Sequence, residues 1–330
     1  MASLAPTLAL VGATGLVGSA LLSSFILAVQ SGRLSGLRVL TSSPDSPKLN
    51  AARSLAGKDV EIKEVHYAEE ASLEAALKDA DVLVSAMGAS ETKEGKYEDN
   101  KSKLLEAAVK AGIKVYVPSE WGTDHNGENN ALVQSPMFEN KQHHHEEAQK
   151  RGLKVLSFYN GLLLQIAFTE WLGTPVTSPS PTWTIPKPSH PVAFTDVSDL
   201  GPFVLSAVLQ TLSSSTNPSN VSSPIPSRLR IAGDVISLDE AADIWEKHAG
   251  GKVERVHKDQ DELKAKYEEI KPTLPRGALG AAIPLMMSVG GFDHTKDSAT
   301  GLLNTGDFAF APKTVDQFLR ERAEELKKVA

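Results

Sequence analysis

The chain is 330 residues long, 41% hydrophobic and 23% charged, an ordinary soluble composition and enough for one large α/β unit with a smaller lobe. A net charge of −7 speaks against a nucleic-acid partner, which needs clustered cations, and the absence of cysteine removes disulfides, thiolate nucleophiles and cysteine metal sites. The uncharged stretch Leu4–Val29 is broken by Pro6 and three glycines and follows no basic residue; neither a signal peptide nor a membrane span is expected, and the chain reads as cytoplasmic.

Short β-branched runs then alternate with longer helical ones. Thr7–Val11 reads as a strand, Leu16–Gln30 as a helix, Leu37–Thr41 and Val60–Val65 as strands, Ser72–Leu77 as a helix and Asp81–Ala86 as a strand. Glu98–Ala111 is a helix capped by Gly112, Ile113–Pro118 a strand, Phe138–Arg151 a helix and Leu153–Tyr159 the last strand of the series. Strands alternating with helices of this length predict right-handed crossovers and a parallel sheet covered on both faces. The fold class is therefore α/β: a Rossmann-type doubly wound parallel sheet over residues 1–160, with segments near 194–212 returning to it. Residues 161–330 are expected to form mostly a C-terminal substrate lobe.

Beyond residue 160 the rhythm breaks. Pro175–Pro191 is rich in proline and reads as a surface excursion, and Asp199–Leu212 as a helix. Ser213–Ser227 is a solvated low-complexity loop, and Arg228–Ala232 a strand. Ser237 is placed as the N-cap of a helix through His248. Gly277–Gly291 is apolar, and Val315, Phe318, Leu319 and Leu326 mark one face of a final amphipathic helix.

The motif "LVGATGLVG" sets Gly12, Gly15 and Gly18 between the first strand and the first helix. There the first glycine allows a tight turn, the second lets backbone N–H groups approach a diphosphate, and the third permits close helix packing. Gly12, Thr14, Gly15, Leu16, Val17 and Gly18 are accordingly assigned to a dinucleotide, whose diphosphate would face the positive end of the helix. The second strand ends in Ser42-Ser43 rather than in an acid that would grip a ribose 2′-OH, and Asp45 lies beyond Pro44. Ser42, Ser43, Lys48 and Arg53 can instead donate to a 2′-phosphate; NADP(H) is expected, with NAD(H) as the alternative. Ala86, Met87 and Gly88 end the fourth strand as a cofactor wall or a strand cap. Tyr159, Asn160, Gly161 and Leu162 follow the sixth as a nicotinamide-side loop, with Leu163 on the substrate side.

Short-chain reductases pair a tyrosine with a lysine four residues on. "YEDNK", Tyr97 to Lys101, has that spacing but precedes the Ile113–Pro118 strand and is set aside as coincidence. On the helix after that strand the string is "MFENK": Lys141 takes the lysine place and Met137 stands where the phenol would be. Lys141 is the candidate general acid/base, since desolvation beside a nicotinamide would lower its pKa; a surface lysine near a helix start is the plainer alternative. Trp121, beside Gly122, either covers the nicotinamide or an aromatic substrate by stacking, or fills the core. Met286 and Met287 either lid the substrate pocket or pack in the interior. His143, His144 and His145 point about 100° apart, so no metal is assigned and they are read as an exposed helix face.

"GATGLVG", "VYVPSEWGTD", "MFENK" and "GLKVLSFYNGLLLQ", followed by "FTDVSDLGPFVLSAVL", "SLDEAADIWEKHAGGKVERV" and "FAPKTVDQFL", resemble in order the NmrA-like and isoflavone reductase-like family of atypical short-chain reductases. The resemblance implies a Rossmann domain, NADP(H), a cleft-facing lysine and often phenylpropanoid-type substrates. Some members are redox-sensing regulators that bind the dinucleotide without turnover. The chain departs from the family at Ser42-Ser43, where an arginine is usual, and at His66-Tyr67, where an acid is usual; Tyr67 is a candidate to stack on the adenine instead. The expected function is an NAD(P)H-dependent reductase of a small aromatic or phenylpropanoid-like molecule. The alternative is a non-catalytic NAD(P)-sensing regulator with a protein partner.

Overall fold

The computed structural model describes residues 5–55, 59–88, 96–125, 133, 136–216, 224–271 and 277–329. The expected loop Ser213–Ser227 falls partly outside them. Strand β1 (Thr7–Val11) is a nearly continuous apolar run, and Leu8, Ala9, Leu10 and Val11 are all buried, as befits a parallel strand covered on both faces. It leads into α1 (Leu16–Gln30), β2 (Gly36–Thr41), α2 (Asn50–Leu55), β3 (Val60–Glu64), α3 (Glu70–Leu77), β4 (Val82–Ser85), α4 (Lys96–Lys110), β5 (Val115–Val117), α5 (Pro136–Lys150) and β6 (Lys154–Val155). These six strands form one parallel sheet in the order β3-β2-β1-β4-β5-β6. The chain runs outward through β2 and β3, then crosses back to β4 on the other side of β1. The crevice that opens at such a reversal, outside the carboxyl ends of β1 and β4, is where ligands of doubly wound sheets bind.

Leu153–Tyr159, expected as a single strand, is two. β6 pairs with β5, and after Leu156 the chain changes partner: β7 (Ser157–Tyr159) pairs in parallel with a strand from far downstream, while Ser157 N–H donates to the Ser227 carbonyl at 2.8 Å. Next come β8 (Leu162–Leu163), α6 (Leu164–Ala167), β9 (Thr182–Pro186), β10 (Val192–Thr195), α7 (Leu200–Thr216), β11 (Arg228–Arg230, the partner of β7) and β12 (Asp234–Ile236). The chain closes with α8 (Leu238–Ala249), β13 (Glu254–Lys258), α9 (Gln260–Ile270), α10 (Gly277–Met287), α11 (Thr300–Leu303) and α12 (Val315–Val329). Helix α7 comes back to the sheet: Phe203, Val204 and Ala207 share a core with Leu21 and Phe25 of α1. Leu73, Leu77, Leu104 and Ala108 cover the opposite face.

A third core gathers Phe168, Trp183, Trp245, Tyr267, Leu285 and Phe318. It corrects the reading of Pro175–Pro191 as a surface excursion, because alternate residues Trp183 and Ile185 of β9 point inward and β13 pairs with the strand. The Trp183 indole donates to the Pro175 carbonyl at 2.7 Å, so even its one polar atom is satisfied. Ser237 caps α8 as expected, with Glu240 completing a reciprocal capping box.

The histidine run on α5 needs a second correction. His143 is exposed, but His144 and His145 are buried: His144 Nε2 meets the Tyr116 hydroxyl at 2.9 Å, and His145 Nδ1 meets Ser157 Oγ at 2.7 Å. Helical periodicity forbade convergence on one ion, but said nothing about two of the rings finding polar partners inside. Burial pushes His144 down to about 3 and His145 to about 4, and His294, also buried, to about 4. A base whose folded pKa is depressed contributes stability that is complete above its unfolded pKa and is lost as pH falls toward the folded value. Stability is therefore expected to fall between about pH 6.5 and pH 4, by roughly 1 kcal/mol per buried histidine per pH unit. Melting temperatures across that range check this; a flat profile would contradict the neutral, buried state of the rings.

Candidate functional site

At the carboxyl edge of the sheet lies a cavity of about 960 Å³. Its walls begin at the glycine loop. Gly12 turns at φ +81°, and a Cβ there would lie 2.4 Å from the Ala86 carbonyl oxygen; only glycine lets β1 pass so close to the end of β4. Gly18 does not face the cavity. It is the packing contact, for a Cβ on it would lie 1.9 Å from the Gly12 carbonyl. Gly15 is different: a Cβ there would meet nothing nearer than 3.5 Å, and Gly15 lines the cavity with Thr14, Leu16 and Val17 at the amino end of α1. That end carries no acidic side chain in its first turn, so its free N–H groups and positive dipole face the cavity.

Ser42, Ser43, Ser46 and Lys48 line the far end, where Lys48 Nζ donates to the Thr14 carbonyl at 3.0 Å and bridges the glycine loop to the segment after β2. Arg53 is drawn elsewhere, to Asn50 Oδ1 at 2.8 Å and toward Asp45 at 3.9 Å, and Asp45 itself is exposed and off the cavity. Tyr67 lines this end too, and burial pushes its phenol up to about 12, so the ring is neutral.

Along the middle run Ala86, Met87 and Gly88. The wall then passes to the segment after β5, Ser119–Glu120–Trp121. Trp121 lines the cavity, yet its backbone sits at φ +29°, its indole donates to the Ser85 carbonyl at 2.9 Å, and its ring stacks on Phe158 at 6.0 Å. One face of the ring thus belongs to the core, and the residue still borders the cavity. Gly122 is behind the wall, where its carbonyl accepts from Gly161 N–H at 3.1 Å.

Lys141 reaches the cavity from the first turns of α5. It is not a surface lysine: its side chain is about 14% exposed, and Nζ donates to the Glu120 carbonyl at 2.6 Å and lies 3.7 Å from Glu120 Oε2. Burial lowers its pKa and Glu120 pulls it back upward. Met137, Leu163 and Ile166 surround this end with apolar surface.

Several expected site residues do not border the cavity. Tyr159, Asn160, Gly161 and Leu162 are buried beneath the wall, because β7 turns into β8 below the segment after β5 and Gly161 packs against the Ala193 backbone. Met286 and Met287 are in the third core with Trp245 and Phe168; the lid reading gives way to interior packing, since α10 is apolar around its whole circumference. Conversely, Tyr97 lines the cavity beside Ser119, and its buried phenol is pushed upward. Sequence spacing singled it out, then discarded it on chain order alone. Asn100, nearly one helical turn on and inside the same string, also lines the cavity, though the Tyr-to-Lys spacing gives it no role.

The fold is similar to that of several solved structures. Leucoanthocyanidin reductase of Vitis vinifera, as a binary complex with NADPH, is similar at 20% identity with a TM-score of 0.74, covering 96% of this chain and 99% of that one. Isoflavone reductase is similar at 17% identity and a TM-score of 0.72, covering 96% and 99%. AtPrR2 with NADP+ and (+)-pinoresinol is similar at 19% and 0.70, covering 96% and 98%. At these identities the likeness shows a shared fold, the Rossmann-like sheet with its appended lobe. Comparison with curated proteins gives no match. Among the described residues, no helix is long and apolar enough to cross a membrane. A model of the NmrA-like family matches residues 5–326, from the first strand with its glycine loop to the last helix. Order of motifs, sheet topology and length of match agree, and the chain belongs to the NmrA-like family.

Proposed function

We propose that the protein is an NADP(H)-dependent reductase of a small aromatic, phenylpropanoid-like substrate, with Lys141 as its proton donor. The observation that carries this reading is that one cavity is lined both by the glycine loop and by Lys141. Its volume of about 960 Å³ lies at the upper end of the roughly 300–1,000 Å³ typical of small-molecule sites.

The lining fits such a dinucleotide. Thr14 to Val17 offer backbone donors to a diphosphate at the amino end of α1, and the open space beside Gly15 is where it would lie. Ser42, Ser43 and Lys48 would take the 2′-phosphate, and Ala86, Met87 and Gly88 would wall the ribose. When bound, the cofactor supplies the hydride; the chain supplies position and a proton. Met137, Leu163 and Ile166 would receive an apolar ring, and Lys141 Nζ would protonate the oxygen of the reduced group. The solved relatives crystallised with NADPH, or with NADP+ and pinoresinol, support the same choice.

Titration of intrinsic tryptophan fluorescence, with Trp121 on the cavity wall, is expected to show NADPH binding at least about tenfold tighter than NADH, or roughly 1.4 kcal/mol. Equal affinities would remove the role given to Ser42, Ser43 and Lys48. NADPH oxidation is then followed over a panel of aromatic carbonyl and phenylpropanoid compounds, pinoresinol included. Tight NADPH binding with no turnover across the panel would assign a dinucleotide sensor instead.

A further inference from the structure

Glu120 is a costly residue to enclose. Its side chain is about 3% exposed, burial pushes its carboxyl pKa upward, and its Oε2 has no hydrogen-bond partner among the described residues. A carboxylate kept only to hold the loop would spend its oxygens on donors. The loop is held by others: the Trp121 indole on the Ser85 carbonyl at 2.9 Å, Thr123 Oγ1 on the Gly291 carbonyl at 3.0 Å, and Asp124 on Arg230 at 2.9 Å. The unspent oxygen instead faces two nitrogens just beyond hydrogen-bond distance, Lys141 Nζ at 3.7 Å and His125 Nδ1 at 3.8 Å.

The surrounding charges single out one pairing. From α4 come Lys101 and Glu98, which lie 3.2 Å apart, so that Glu98 is already engaged. Asp124, in the loop, is engaged by Arg230, and Arg228 of β11 donates to Gln142 at 2.7 Å. His125, His144 and His145 are pushed by burial to about 4, 3 and 4 and are neutral at pH 7. That leaves Lys141 as the enclosed cation whose nitrogen comes within 4 Å of the unspent Glu120 oxygen, at 3.7 Å, with Lys101 and Arg228 acting on the same carboxylate from farther away.

We propose that Glu120 sets the charge of Lys141, holding its amine as an ammonium inside a cavity whose walls would otherwise strip the proton. This rests on reading Lys141 as the proton donor. As the hydride reaches the substrate carbon, one proton passes from the Nζ ammonium to the substrate oxygen; the amine is left neutral, Glu120 stays a carboxylate, and water restores the proton after product leaves. Glu120 acts through Lys141 and is a positioning residue.

The test reads the charge of Lys141 directly and needs no substrate. Trace acetylation by acetic anhydride, quantified by peptide mass spectrometry from pH 6 to 11, gives a titration midpoint for each lysine, with exposed Lys247 and Lys252 as internal standards. In Glu120→Gln the Lys141 midpoint is expected to drop by at least about one unit, a tenfold faster acetylation at any pH below it. Glu120→Leu, which replaces the carboxylate with apolar bulk, should show the same drop if the amide variant fails to fold; melting and NADPH-induced quenching report folding. A midpoint unchanged in either folded variant overturns the proposal. So does a wild-type Lys141 already half neutral at about pH 7, a result that depends on no variant. Full turnover by Lys141→Ala would instead sink the proton-donor reading and leave the titration result standing.

Discussion

Gly15→Leu is expected to abolish dinucleotide binding, raising Kd at least about 100-fold, roughly 2.7 kcal/mol, with little change in melting temperature. The backbone at Gly15 is extended, φ −79° and ψ 173°, a conformation any residue adopts. A Cβ there meets only the Gly12 carbonyl oxygen, at an ordinary 3.5 Å, and Gly15 is a lining residue of the cavity, so added side-chain bulk competes with a ligand at that point. The fold tolerates it and the ligand does not. Gly12→Ala and Gly18→Ala make the controls, because each drives a Cβ into backbone at 2.4 Å or closer and should lower the melting temperature before any ligand is added. Fluorescence titration and thermal melting of all three variants separate the cases. Retained NADPH binding by the leucine variant would remove the diphosphate from the amino end of α1.

Lys141→Ala is expected to lower turnover by 10²- to 10⁴-fold, the usual worth of a positioned proton donor, while NADPH affinity stays within about threefold. The expected pH dependence follows from burial. Because burial lowers the pKa of Lys141, the ammonium begins to be lost below the ordinary lysine range, and kcat should decline on the alkaline side with an apparent pKa below that of a free lysine. Lys141→Arg should not restore the rate, since a guanidinium in this enclosure keeps its proton. Steady-state NADPH oxidation against pH for the three proteins decides the matter; an arginine variant as fast as wild type would reduce Lys141 to an electrostatic role.

The centre of the sheet was legible in the sequence because Leu8–Val11 and Val82–Val84 are buried on both faces and read as unbroken apolar runs, and because a glycine such as Gly112, at φ +73°, marks where a helix ends. The glycine loop was legible because its spacing serves the backbone. What failed to show was anything decided by a partner distant in the chain. Trp183 is hidden among prolines, and it is distant partners, β13 beside its strand and Phe168 against its ring, that make it interior. His144 and His145 depend on Tyr116 and Ser157. The Leu153–Tyr159 run gives no sign that its second half will leave β5 for β11. At the cavity, the offset from the preceding strand points to Lys141 and away from Tyr97, yet both residues line it. The cavity wall is assembled from helices on both sides of β5, and chain order does not record which of them lean over it.

The segment carrying Glu120 and Trp121 is tethered at both ends. One end hangs from the sheet through Trp121 and Ser85; the other is tied to Gly291 and Arg230 by Thr123 and Asp124. The carbonyl that accepts from the Lys141 amine belongs to the residue just before Trp121, so the position of that amine is anchored through Ser85 on one side and through Gly291 and Arg230 on the other, by side chains that never touch it.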